Sequence, residues 1–497
     1  MTKPECRSSP FVIRHSTFVQ HLVYVARHFC AAVLVAMLLR PQTVHGQAAW
    51  EFSPYQVQVW LALENRPELS GDFVQSLSTR LAGRAEVVFG GAWDMTATAA
   101  PPSAVPDLLS RLGDVTTDEI QASAPGVLDN DKLYLIAVGF SGGDYRVLVR
   151  EVDGRTRVAG PLIERRVGQR EAIGLATWDA ILDSFTPLAK VESVEDKALR
   201  LRVRAGGLVI DPVSPALIQP GQVLKPVLRR NSKDGQPTKN GVQPLEWTLL
   251  TVEDRTDALL DCTLHSGFRA PIPTRGSSRL ERLAYLAKPR YGSTRIVLAA
   301  RKDPQRRLSG YEVFVKGQGE DETYLLGTTD WQGAVQIERS DVNFRLLYVR
   351  NGGQLLARLP LAPGAERELL AKTVEDDARL QAEGFVLALQ GRTVDLVGQR
   401  EILIHQFRTR RKKGEMSEAR AILERFRTLD TRDDLVADLN AQQQSVTSSD
   451  PLTQKRIDKL FGDARKMLQN KLLDAEMVNV LQRELNSAAP ATAGSGS

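Results

Sequence analysis

The pattern of apolar positions along the chain divides it into four units. From about Trp50 to Ala189, strand and helix patterns alternate. Tyr55, Val57, Val59, Leu61 and Leu63 in SPYQVQVWLALE repeat every second residue, as one face of a strand does. SGDFVQSLSTRLAG then sets Phe73, Leu77 and Leu81 four apart on one helical face, with Gly83 near its end. AEVVFGGAW (85–93) predicts a second strand, TATAAPPSAVP (96–106) a surface loop, and Leu108 to Leu112 a short helix. KLYLIAVGF (132–140) and YRVLVREVD (145–153) predict two strands around GFSGGD, and VGQREAIGLATWDAILDSF (167–185) predicts the closing helix. The α/β unit is expected over residues 47–190.

From 196 to 300 the texture is β: ALRLRVRAGGLVI alternates, DPVSPALIQPGQVLKPVLRR sets strands around Pro and Gly, and PLEWTLLTVEDRT resumes the pattern. Short strands with turn residues between them predict a small barrel or sandwich. Residues 301–363 predict a further β unit from SGYEVFVKG, TYLLGTTDWQGAVQI and FRLLYVRNGGQLLARLPL, with Asn351-Gly352 as a hairpin turn. After Pro363-Gly364 the pattern is helical over 364–486, and 487–497 reads as a disordered tail. Gly384, Gly391 and Gly398 recur every seven residues, so one long helix would carry them on nearly one face, open to close approach by another helix. A helix broken by glycine loops is the alternative, since each interior glycine costs about 1 kcal/mol against alanine. The fold class is thus α+β, multidomain. The stripe Ile457, Leu460, Phe461, Ala464, Leu468, Leu472 and Met477 is expected to be core rather than a partner groove.

Residues 1–46 stand apart from this series. A basic lead with Arg14 and Arg27 runs into AAVLVAMLL (31–39), and Val44 and Gly46 suit cleavage after Gly46, the layout of a secretory signal peptide. The apolar run is about half the ~20 residues that a spanning helix needs. Excluding the segment removes Lys3, Arg7, Arg14, Arg27, Arg40 and Glu5, which leaves 60 basic and 59 acidic residues. That balance disfavours nucleic acid as a partner. Cys6 and Cys30 leave too, so Cys262 has no second thiol for an internal disulfide. The location expected is exported: periplasm, envelope or extracellular.

Few groups remain for chemistry. Gly139-Phe-Ser-Gly-Gly143 matches the nucleophile-elbow spacing, but an elbow serine needs a strand-to-helix turn, and here a second strand follows. Gly142-Gly143-Asp144 suits a hairpin turn instead. A triad built on Ser141 would need His265 or His405, both in differently patterned segments. These two histidines and one cysteine make no standard zinc set, and Gly319–Thr323 and Thr431–Asp434 lack the calcium-loop spacing. No catalytic, cofactor or metal residue is expected. The sharpest charge feature is Arg408, Arg410, Arg411, Lys412 and Lys413, either a contact for an anionic surface or acidic partner or a helix C-terminus whose cations complement the dipole. Arg229, Arg230 and Lys233 read as a charged hairpin tip, with contact to an anionic polymer as the alternative.

Three local resemblances accompany these patterns. YLIAVGFSGGDYRVLVREVDGRTR plus the following helix resembles the α/β domains of envelope assembly proteins, the Tol-system amino-terminal and curli-secretion-like domains, which implies envelope-complex work. GTTDWQG (327–333) resembles the turn of carboxypeptidase-regulatory, immunoglobulin-like modules, which implies a sandwich with Asp330 and Gly333 as turn residues. KKGEMSEARAILERF, within a hairpin at 399–428, resembles a tetratricopeptide unit through Gly414, Glu418 and Ala419. The function expected is a non-catalytic envelope scaffold or assembly factor that binds protein partners. The alternatives are recognition of polysaccharide or cell-wall polymer, with Trp331 as its inviting aromatic, and a serine hydrolase using Ser141.

Overall fold

The computed structural model describes residues 48–487, apart from 275–276, 278, 318–321 and 471–472. The expected signal segment, Leu472 and the tail beyond 487 lie outside the described residues. After one helical turn, Ala48–Glu51, the α/β unit runs β1 (Tyr55–Leu63), α1 (Gly71–Phe89), β2 (Trp93–Ala99), α2 (Val105–Arg111), α3 (Thr117–Ser123), β3 (Lys132–Ser141), β4 (Asp144–Asp153), β5 (Ile163–Val167) and α4 (Ile173–Ser184). Its sheet has the order β2-β1-β3-β4-β5, with β1 parallel to both neighbours and the β3–β4–β5 pairs antiparallel. Alternation sends Val57, Val59 and Leu61 toward α1 and α4, and Trp60 and Ala62 toward α2 and α3. The central strand β3 is covered on both faces, which is why LYLIAV reads as continuously apolar.

Two expectations fail here. Residues 85–89 are the last turn of α1 rather than a strand, with Val87 86% exposed, and the strand is WDMTATA, whose last four residues were expected in the loop. Packing of Leu77, Leu81, Ala85 and Phe89 on the sheet outweighs the β preference of Val87-Val88. At an edge, Thr and Ala suffice for β2, since its strand needs only one covered face.

β6 (Leu188–Glu195), β7 (Ala198–Val203), β8 (Val223–Asn231), β9 (Pro237–Pro244), β10 (Thr248–Thr256), β11 (Leu259–Ser266) and β12 (Leu280–Leu286) follow. Among the described residues, β10-β11-β7-β6-β12-β8 closes on itself through β8–β10 as an antiparallel barrel, with β9 added outside β8. Leu201, Leu224, Leu250, Leu260 and Ala284 fill it.

Next come β13 (Ser293–Ala300), β14 (Glu312–Gly317), β15 (Tyr324–Thr328), β16 (Ala334–Glu338), β17 (Arg345–Asn351), β18 (Gln354–Leu361) and β19 (Glu368–Thr373). They form two sheets, β16-β13-β19 and β15-β14-β17-β18, around Leu298, Tyr311, Val313, Leu347 and Leu359. In the turn after β15, Asp330 Oδ1 accepts the N–H groups of Gln332 and Ala334 at 2.8 Å, and Gly333 has φ +71°. The unit boundaries shift accordingly: β6 starts the barrel at 188 rather than 196, and β13 and β19 extend the sandwich to 293–373 rather than 301–363. Pairing between strands distant in sequence leaves no mark in local composition.

The carboxyl-terminal unit is helical: α5 (Asp377–Lys412), α6 (Met416–Arg427), α7 (Arg432–Ser445), α8 (Pro451–Met467) and α9 (Glu476–Asn486). Helix α5 is unbroken over 36 residues, about 54 Å. Its inner side packs Val386, Leu389 and Leu396 on α7 and α8, and Phe407 on α6 and α9. Ile457, Phe461, Ala464 and Leu468 are buried in that core. The chain is therefore an α+β multidomain protein, and among the described residues no helix is long and apolar enough to cross a membrane.

Candidate functional site

Ser141 ends β3 and pairs in register with Asp144, across a turn in which Gly142 and Gly143 take φ of +64° and +93°. A strand leaves this turn, so the backbone lacks the strand-to-helix bend of a nucleophile elbow. The hollow beside Ser141 is lined by Glu64, Phe140 and Arg146, with no histidine among the described residues. His265 sits elsewhere, on β11, 3.0 Å from Thr251 Oγ1 and with its ring tilted against that of Phe344. His405 is exposed on α5.

Other reactive groups are likewise held apart. Burial pushes the Cys262 thiol up to about 12, with Asp261 and Glu253 adding to it. Among the described residues no cluster of His, Cys, Asp and Glu has metal-binding geometry. Thr431 and Asp434 form a capping box on α7, with Asp434 Oδ2 accepting from Thr431 N at 2.8 Å. Residues 319–321 lie outside the described residues.

The strongest electrostatics lie where the barrel and sandwich meet the α/β unit. Lys132, at the start of β3, is fully buried and donates to Glu151 and Asp153 at 2.7 Å and to Thr186 O at 2.6 Å. Glu151 also accepts from Tyr134 OH and Thr186 N. Arg204 of the barrel reaches Asp131 at 2.9 Å, and Lys288 and Arg290 donate to the last carbonyls of α4, Leu182 O and Asp183 O. Those carbonyls carry the negative end of the helix dipole. Arg229 is buried, not a hairpin tip: its guanidinium donates to Gly154 O and Arg155 O, because the β4–β5 loop lands on it. The seam residues escaped the sequence reading. Their visible trace is a lysine, an arginine and three carboxylates at the edges of the apolar runs in DKLYLIAV and VLVREVD.

The basic run sits at the end of α5. Arg408 pairs with Glu484, Arg410 with Glu415 and Glu418, and Arg411 donates to Ser487 Oγ. Lys412 and Lys413 are exposed and carry no ion pair among the described residues. Three of the five cations thus brace the helical unit itself.

A different face of α5 is left uncovered by the described residues. Beyond their own helix backbone, Gly384, Gly391 and Gly398 have no heavy atom of the described residues within 4 Å of where a Cβ would stand. Between them Leu387 and Val394, and just past the last of them Ile402, are 65%, 71% and 58% exposed. Together they make an apolar stripe about 27 Å long on the side opposite the core. The glycine period was legible in the sequence, but the expected neighbouring helix is not supplied by the described residues. The apolar residues that share this face with the glycines were missed, although their spacing of three and four is the signal that finds them.

No family model matches the chain, and no curated protein does. Among solved structures it is similar to TolB from Acinetobacter baumannii, at 9% identity and a TM-score of 0.18, covering 63% of this chain and 84% of that one. It is also similar to the TIE protein of Bacillus anthracis (11%, TM-score 0.14, covering 42% of this chain and 46% of that one). BcpA, the major pilin subunit of Bacillus cereus, gives 8% and 0.14, covering 49% of this chain and 71% of that one. At these scores the architecture rests on the chain's own strand pairings.

Proposed function

We propose that this chain is a non-catalytic scaffold or assembly factor of the cell envelope, which holds a partner protein's helix against the outer face of α5. The observation that carries the reading is the exposed stripe of Leu387, Val394 and Ile402 interleaved with three glycines. A solvent-facing helix side is ordinarily polar, and glycine there destabilises the helix by about 1 kcal/mol each. A closely packed partner helix offsets that cost and covers the apolar residues. Export is the expectation from residues 1–46, and the reading as a scaffold agrees with the buried ionic seam that joins the barrel to the α/β unit.

The test places a photocrosslinking residue at Val394 in cells and compares the wild-type stripe with Leu387→Glu. One stoichiometric envelope protein, crosslinked at Val394 and lost in the variant while its melting temperature is kept, supports the proposal. Absence of any protein crosslink from this face overturns it. A second reading, recognition of wall polysaccharide, draws on Trp331, which is 82% exposed on the sandwich. Retention on isolated wall polymer that disappears in Trp331→Ala would favour it.

A further inference from the structure

A cleft with two lobes opens where the barrel and sandwich meet, away from the helical unit. The outer lobe, about 280 Å³, is walled mainly by apolar groups, among them Leu245, Trp247, Leu361 and Leu370. The inner lobe, about 120 Å³, reaches the seam with the α/β unit and is bordered by Tyr285, Lys288 and Arg290. Lys225, Tyr285, Ala365 and Glu366 border both lobes, so the two adjoin. Where they join, the Glu366 carboxylate is paired with Lys225, so a carboxylate of the chain itself is already held there.

Donors and acceptors in the inner lobe are unevenly spent. The carboxylates of Glu151 and Asp153 are taken up by Lys132, Thr186 and Thr156. The donors retain capacity. Arg290 Nε is buried without an acceptor among the described residues, and Lys288 Nζ uses one carbonyl, Leu182 O. Burial, with Arg290 beside it, draws the Lys288 ammonium down to about 8, and burial pushes the Tyr285 hydroxyl up to about 12, so it stays a donor. A donor surplus in a partly enclosed space calls for an acceptor that brings negative charge. At the mouth of the outer lobe Glu246 and Glu368 are exposed, and Glu368 is paired with Arg295, so solvent and a counter-charge screen them.

We propose that this cleft binds a small monocarboxylate with an apolar body, its carboxylate in the inner lobe against Tyr285, Lys288 and Arg290 and its body against Trp247 and Leu370. An apolar pocket with a few convergent polar groups is the usual form of a small-molecule site. The site is independent of α5, so its failure leaves the scaffold reading untouched.

The test is calorimetric titration of the full chain with octanoate, acetate and octylamine. Octanoate is expected to saturate one site per chain, and acetate to bind roughly a hundredfold more weakly, having no body for the outer lobe. Tyr285→Phe, which keeps the ring, and Lys288→Gln are each expected to weaken octanoate about tenfold. Ala365→Leu, which fills the junction, is expected to abolish binding. A tripeptide ending in a free leucine carboxylate presents the same chemistry, and its affinity relative to octanoate tells a chain terminus from a free acid as the source. The proposal falls if octanoate does not saturate in the low millimolar range, if octylamine binds as tightly, or if Tyr285→Phe leaves octanoate affinity unchanged in a variant that melts like the wild type.

Discussion

Lys132 Nζ lies 2.7 Å from Glu151 Oε1 at a place where neither side chain reaches solvent. Burial alone would draw this ammonium's pKa down, but Asp153 and Glu151 outweigh it and hold it above its ordinary value. The group therefore stays charged throughout the physiological range, and its neighbours depend on that charge. Lys132→Met leaves two carboxylates buried without their cation, and the expected loss is about 3–5 kcal/mol. Urea denaturation of the full chain measures it. A loss below about 1 kcal/mol would mean that water enters the seam.

Two glycines predict opposite outcomes for the same substitution. At Gly154 a Cβ would stand 2.0 Å from Asn130 O and 2.6 Å from Leu128 O, both backbone atoms that cannot swing aside. Gly154→Ala should therefore cost several kcal/mol, roughly 3 or more, by forcing the β4–β5 loop off Arg229 and Asp131. Gly391 has open space around it and lies in the interior of α5. Gly391→Ala should stabilise the isolated chain by about 1 kcal/mol and yet weaken a partner helix on that face. Melting curves of both variants, read beside the Val394 crosslink, check the pair. A stabilised Gly391→Ala that crosslinks normally would remove the reason for the glycine.

What the sequence made legible was local. Gly142-Gly143-Asp144 predicted a hairpin and the chain makes one, because positive φ at both glycines is a property of those residues alone. The turn around Asp330 and Gly333 was readable for the same reason. What escaped depends on partners far along the chain. Residues 85–89 prefer strand by composition, but Ala85 and Phe89 complete the face by which α1 docks. Arg229 looked like a solvated tip because nothing nearby in sequence announces the loop at Gly154 that covers it. Likewise β13 could not be assigned to the sandwich without knowing that it pairs with β16 and β19.

Lys288 gives the seam a pH signature. In the folded chain its pKa falls to about 8 through burial, then Arg290 beside it, against weaker opposition from Glu151 and Asp183. Unfolded, the group returns to about 10.4. Between these values the unfolded chain holds a proton that the folded chain does not, so stability rises as pH climbs from about 8 to 10.4 and the cost is fully present below 8. Lys288→Met removes the proton exchange. The wild type should gain roughly 2 kcal/mol relative to the variant over that span, after allowance for its residual solvent contact. Urea midpoints at pH 7.5 and 10 measure the difference, and parallel pH profiles for the two chains would refute it.

Ser141 offers the last contrast, between a residue that does chemistry and one that closes a turn. Its backbone is fixed by the β3–β4 register and by two glycines in the left-handed region; no histidine lines its hollow among the described residues, and Glu64, the carboxylate that does, accepts from Phe140 N and pairs with Arg66. A fluorophosphonate probe is therefore expected to leave the folded chain unlabelled. Ser141→Ala should shift stability by no more than about 0.5 kcal/mol, as surface substitutions do, whereas Gly143→Ala, which strains a residue at φ +93°, should cost about 1 kcal/mol or more. Probe labelling that vanishes in Ser141→Ala would show that a base is recruited to this turn, and the non-catalytic reading would then give way to a hydrolase.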